Sequence, residues 1–276
     1  MKFDMNAIWS RAVELVQENL QLLAIVSAVF LLLPSVAIYL LLPSMQTFAD
    51  PAADPDVVAA QLQANLGPII TFGVVSMLVQ FAGNGAMIAL MSGARLTVGE
   101  AIKTGLKITL SALAVFVIFM LCYFFAAIIV IIPFALLGGL TGLPALGALG
   151  VLPALLASAY IAARMSMSMP VMVLENTLNP IGAVLRSFAL TRKRHWSILM
   201  FWAVLFLCYF VIAILLSSVI SLIAALAGGG TVSALILGLT NGLMGMIIGM
   251  LMCGIAVAMY GQLSITDEDV IGSVFD

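Results

Sequence analysis

Apolar and polar positions sort along this chain into long blocks. Six apolar runs, at about 22–43, 68–92, 108–136, 143–163, 197–225 and 234–263, contain no charged residue, and the charge lies in the segments between and around them. A helix rises about 1.5 Å per residue, so roughly 20 apolar residues cross the ~30 Å of bilayer hydrocarbon. Each run reaches that length. The pattern predicts an all-α integral membrane protein with six transmembrane helices. The first run reads as a span and not as a signal peptide. It is longer than a 7–15-residue signal core, and the residues before it include Asp4, Glu14 and Glu18.

The connecting segments carry the orientation. Lys2 and Arg11 precede the first run. Arg95, Lys103 and Lys107 follow the second. Arg164, Arg186, Arg192, Lys193 and Arg194 follow the fourth. These are all ten Lys and Arg residues of the chain, and the alternate connections 44–67, 137–142 and 226–233 have none. The positive-inside rule then places both termini in the cytoplasm. Carboxylates weigh little in that rule, so the acidic tail 265–276 (Asp267, Glu268, Asp269, Asp276) does not oppose it. The first outer connection holds Asp50, Asp54 and Asp56. Asp54-Pro55 is a helix start, with Asp as cap and Pro in the first turn, and predicts a short surface helix through Asn65.

Each basic segment reads as an amphipathic helix leading into a span. In the first, Asp4, Arg11, Glu14 and Glu18 lie opposite Ile8, Ala12, Leu15 and Val16. In the second, Thr97 and Glu100 form a capping box. In the third, Asn179 caps, Pro180 takes the first turn, and Ile181, Val184, Leu185 and Phe188 make an apolar stripe. Ala7, Gly99 and Gly182 each stand four residues before a cation (Arg11, Lys103, Arg186). We read a pseudo-threefold repeat of one cytoplasmic-side helix plus two spans, with units 1–92, 93–174 and 175–264 in a single polytopic domain. Such helices lie at the headgroup boundary with the apolar face down, or wedge into the bundle. Trp9 and Trp196 suit the interface.

Composition agrees. The chain is 64% hydrophobic and 8% charged, against about 25% charged in soluble domains. Lipid must therefore cover much of its surface. Cys122, Cys208 and Cys253 lie in apolar runs and read as small buried hydrophobes. No phosphate-binding loop, Ser-His-Asp set, zinc motif or paired intramembrane carboxylates occur, so no catalytic, cofactor or metal site is expected, and no nucleic-acid partner. His195, the lone histidine, sits among cations and makes a poor general base.

The stretch Arg164–Phe206 is the most distinctive. It has an Arg at the end of a span, Pro170, Glu175, the Ala183-Val-Leu-Arg186-Ser187 helix and the Thr191-Arg-Lys-Arg-His-Trp196 corner. It resembles the membrane domain of bacterial glycerophosphodiester phosphodiesterases and its free-standing inner-membrane relatives. The resemblance implies a multi-pass protein of the bacterial inner membrane. The fused relatives carry a catalytic barrel after this domain. Because the sequence ends at Asp276, soon after its last span, the phosphodiesterase activity is not expected here.

Arg164, Glu175 and Arg186 form a candidate polar elbow, either a functional site or a snorkelling and bridging arrangement; an Arg164–Glu175 pair across a break at Pro170 would fix it. Arg192, Lys193 and Arg194 form a candidate contact for anionic lipid, and equally satisfy topology. Gly238, Gly242, Gly245 and Gly249 are close-packing positions in the sixth span. Gln80, Asn84 and Asn241 either line a path or bond between helices, and the methionines near Arg164 and in the sixth span are fillers before they are copper ligands. Pro34 and Pro133 predict kinks. The expected role is a non-enzymatic membrane protein of lipid or envelope homeostasis, binding membrane lipids, a second copy or a membrane partner protein at its cytoplasmic face. The alternatives are a small transporter or channel, and an accessory subunit for a separate phosphodiesterase.

Overall fold

The structure, a computed structural model, describes residues 3–42, 54–226 and 230–275. Every regular element among them is helical. Among the described residues, six helices are long and apolar enough to cross a membrane: Leu20–Leu41, Leu66–Leu90, Val98–Thr141, Gly147–Leu174, His195–Ala224 and Gly230–Ser264. The chain is a multi-pass membrane protein.

Local chemistry sets the boundaries. α1 (Met5–Glu18) ends at Asn19, whose side-chain amide donates to Leu15 O (3.0 Å). α2 (Leu20–Ser27) and α3 (Leu33–Leu41) form the first span, joined by a π-helical turn at Ala28–Leu32. Pro34 follows that turn. Proline lacks an N–H and its ring crowds the carbonyl four residues back, at Phe30, and the widened turn accommodates both. Asp54 caps α4 (Pro55–Ala64) by accepting from the Asp56 N–H (2.9 Å). α5 (Leu66–Leu90) leads through Gly93, at φ 82°, into the capping box. There the Thr97 N–H donates to Glu100 (2.8 Å), and the Glu100 N–H donates to Thr97 Oγ1 (3.3 Å). α6 (Val98–Thr141) is 44 residues long, about 66 Å, roughly twice the hydrocarbon thickness. The second basic segment is thus the first turns of a spanning helix and not a separate one. Pro133 lies inside α6 without ending it.

Gly142, at φ 67°, turns the chain into α7 (Pro144–Leu149) and α8 (Val151–Met165). α9 (Ser168–Leu174), α10 (Pro180–Thr191), α11 (His195–Leu226) and α12 (Gly230–Phe275) complete the order. The backbone of the acidic tail continues α12 to Phe275; the side chains of Asp267, Glu268 and Asp269, together with Asp276, Pro43 and Asp50, lie outside the described residues. One sequence reading is corrected. Cys253 is buried, but Cys122 and Cys208 are exposed on α6 and α11. An apolar run does not tell core-facing from lipid-facing positions, because both solvents are apolar.

The chain forms two compact units. One comprises Asn6–Thr109 and Leu205–Ala258. Its helices meet through small residues, as close approach in lipid requires. A Cβ on Gly105 of α6 would strike the Ala82 carbonyl of α5, and one on Gly83 would strike the Phe30 side chain. α1 buries Ile8, Ala12 and Leu15. It lies on α12 at Gly254, where a Cβ would come 3.0 Å from Ala12 O. The other unit comprises Leu110–Val204 with Met1–Met5 and Met259–Asp276. It holds the residues described next.

Candidate functional site

The second unit turns its chain twice within thirty residues, and the turns set out the polar side chains. α8 ends at Met165, and after Ser166 and Met167 the helix restarts as α9. The break falls ahead of Pro170, which belongs to the first turn of α9, where a missing N–H leaves no orphan acceptor. α9 closes with a left-handed residue, Asn176 at φ 51°, and a Thr177 N–H bond to Met172 O (3.1 Å). Glu175 is therefore the residue at the corner. Asn179 Oδ1 accepts from the N–H groups of Ile181 and Gly182, both 3.1 Å, and starts α10. Two hydroxyls tie the corner down: Ser111 Oγ donates to Leu178 O and Ser187 Oγ donates to Arg164 O, both 2.7 Å.

Glu175 and Arg186 meet: Arg186 Nε donates to Glu175 Oε1 at 3.0 Å. Tyr260 of α12 donates its hydroxyl to the same oxygen at 2.9 Å. Nothing in the sequence marked Tyr260, an aromatic residue in an apolar run 85 positions away. Arg164 does not join them. Its guanidinium carbon sits 4.7 Å from the centre of the Phe188 ring, a cation–π distance, and among the described residues it makes no ion pair. Its Nε is buried without a hydrogen-bond partner, and so is the hydroxyl of Ser168, one turn on. Glu175 is the only acid between Arg164 and Trp196, against five cations. The elbow thus holds more donors than acceptors.

α10 buries Ala183, Ser187, Leu190 and Thr191. Its outward line is Ile181, Leu185 and Ala189, with Ile181 62% and Leu185 64% exposed, so this helix presents apolar side chains outward. Val184 and Phe188 are half-buried. Immediately after it, Arg192 and Lys193 are exposed and make no ion pair among the described residues; Arg194 is half-buried. His195 and Trp196 begin α11, with the Trp196 ring 6.2 Å from Tyr160 of α8 and largely exposed. His195 Nδ1 lies 2.9 Å from Arg192 O, which occupies that ring nitrogen in holding the turn.

The chain matches no family model, no curated protein and no solved structure. Its function must be read from its own residues.

Of the remaining sequence candidates, the glycines of α12 and the span amides fall in the first unit. Gly238, Gly242 and Gly249 of α12 pack against the first span: Cβ atoms there would come 3.0 Å from Val36 Cα, 3.1 Å from Leu32 Cα and 2.6 Å from Leu31 Cδ1. Gly245 has open space beside it. Asn241 donates to Leu237 O of its own helix (2.9 Å) and to the Tyr39 hydroxyl (3.4 Å). Asn84 receives the Cys253 thiol at 3.9 Å, and Gln80 is exposed. Near the elbow, Met165, Met167 and Met172 are buried as packing.

Proposed function

We propose that this multi-pass protein is a non-catalytic lipid-binding component of the bacterial inner membrane, acting in lipid or envelope homeostasis through the α10–α11 corner. The observation that carries this reading is the surface of α10. An outward apolar line (Ile181, Leu185) runs into an exposed basic corner (Arg192, Lys193) and an exposed indole (Trp196). A helix with that surface seats its apolar line among acyl chains and leaves its cations level with headgroup phosphates. The indole prefers the same depth.

Each cation near an anionic membrane contributes about 1 kcal/mol, so two together are worth roughly thirtyfold in binding. The test is native mass spectrometry of the full chain released from bilayers of mixed phosphatidylglycerol and phosphatidylcholine. The parent retains phosphatidylglycerol, and Arg192→Gln with Lys193→Gln loses most of it at low salt. Unchanged retention in the double variant would remove the corner from the reading.

A further inference from the structure

We infer that Arg164, whose guanidinium carbon sits 4.7 Å from the centre of the Phe188 ring, is the receiver for one phosphate group, giving the corner a preference for phosphate lipids over sulfonate lipids. This deepens the lipid-binding reading and rests on it for the ligand's approach. The cations of the elbow are not equivalent. Arg186 is taken by Glu175, whose Oε1 is also held by Tyr260. Arg192 and Lys193 are exposed and attract charge without geometry. Arg164 combines an aromatic ring 4.7 Å from its guanidinium carbon with the absence, among the described residues, of a carboxylate partner.

A guanidinium is planar and offers parallel N–H donors that match two oxygens of a tetrahedral anion, and phosphate oxygens, being more basic than sulfonate oxygens, accept those bonds more strongly. Arg164 Nε and Ser168 Oγ are buried without an acceptor, so the protein leaves donors of this arginine and its neighbour unused. Phe188 lies on α10 one turn from Leu185, which is 64% exposed. A lipid seated along Ile181 and Leu185 therefore brings its headgroup to the helix end that carries the ring. A phospholipid ester and a free phosphate ion present the same oxygens.

The experiment uses the full chain in a neutral maltoside detergent, titrated with short-chain phosphatidylglycerol, a sulfonate-headed diacyl lipid of equal charge and chain length, and inorganic phosphate. Bound species are counted by native mass spectrometry. The parent should favour the phospholipid over the sulfonate lipid by about tenfold. Arg164→Lys keeps the charge but loses the fork and should bring that ratio near one. Phe188→Leu keeps the arginine but removes the ring beside it and should lower the ratio partway, which carries the test if Arg164→Lys does not fold. Arg192→Gln with Lys193→Gln should weaken both lipids equally and leave the ratio intact. A parent ratio of one, or a parent ratio preserved in Arg164→Lys or in Phe188→Leu, overturns the inference. A double variant that binds both lipids like the parent instead overturns the corner reading and leaves Arg164 standing. Displacement of the phospholipid by inorganic phosphate assigns the site to the free anion; resistance to displacement assigns it to the headgroup ester.

Discussion

α1 and α10 look alike in sequence and are used in opposite ways. Each starts beside a span, has an apolar line, and carries a cation four residues after a small residue. α1 turns its apolar line inward onto Gly254 and leaves Arg11, Glu14 and Glu18 outside. Those three satisfy one another, with Arg11 3.1 Å from Glu14 and 3.5 Å from Glu18. α10 turns Ala183, Ser187, Leu190 and Thr191 inward and leaves Ile181 and Leu185 outside. Its cation Arg186 reaches back to Glu175 at the preceding corner. The difference teaches that an apolar stripe beside a membrane has two possible partners, protein or lipid. Side-chain size on the opposite line decides between them. α10 packs by Ala183 and Ser187, small enough for close approach, together with Leu190, and its other large apolar side chains Ile181 and Leu185 face outward.

The comparison breaks most sharply at Gly254. Gly254→Leu forces a side chain into the Ala12 backbone and should lower stability by up to ~3 kcal/mol, seen as a fall in melting temperature and as protease access to α1. A variant that melts with the parent would mean that α1 is not seated there. At α10 the larger effect is on binding: Arg192→Gln with Lys193→Gln should cost about 2 kcal/mol of anionic-lipid affinity. Arg11→Gln in α1 should leave that affinity alone, and lipid retention lowered equally in both would erase the distinction between the helices.

Smaller effects sharpen it. Glu175→Gln weakens the bonds from Arg186 and Tyr260. Because Glu175 and Arg186 are 31% and 39% exposed, solvent screens the ion pair, and a loss of about 1 kcal/mol is expected in chemical denaturation. Tyr260→Phe should give a fraction of that, and a larger loss than Glu175→Gln would place the hydroxyl's role elsewhere. Least of all is Arg11→Gln on stability. Arg11, Glu14 and Glu18 are all more than half exposed, so their contacts are worth ~0.5 kcal/mol or less, and high salt should abolish the difference.

Much of the architecture is legible in the sequence. The six spans, the Asp54 cap, the Thr97–Glu100 box and the Asn179 cap follow from run length and from local hydrogen bonding, which involve residues a few positions apart. At the elbow, the Glu175–Arg186 contact spans eleven residues and could be named as a candidate group. An Arg164–Glu175 pair, one way in which the elbow could have been fixed, is not among the ion pairs of the described residues. Arg164 found an aromatic face, and Glu175 found Tyr260, both chosen by helices that arrive from elsewhere.

By itself, the sequence determined that this chain lives in lipid, how many times it can cross, and where its helices start. These depend on transfer from water to hydrocarbon and on neighbours within one turn, and both are properties of a local segment. The tertiary structure alone decided which apolar faces meet protein and which stay outward, which cation is neutralised, and which is left with donors to offer. In water, burial would have announced the inner faces. In a bilayer, core and solvent are equally apolar, so only the fit of small residues against backbone, as at Gly105, Gly242 and Gly254, separates inside from outside.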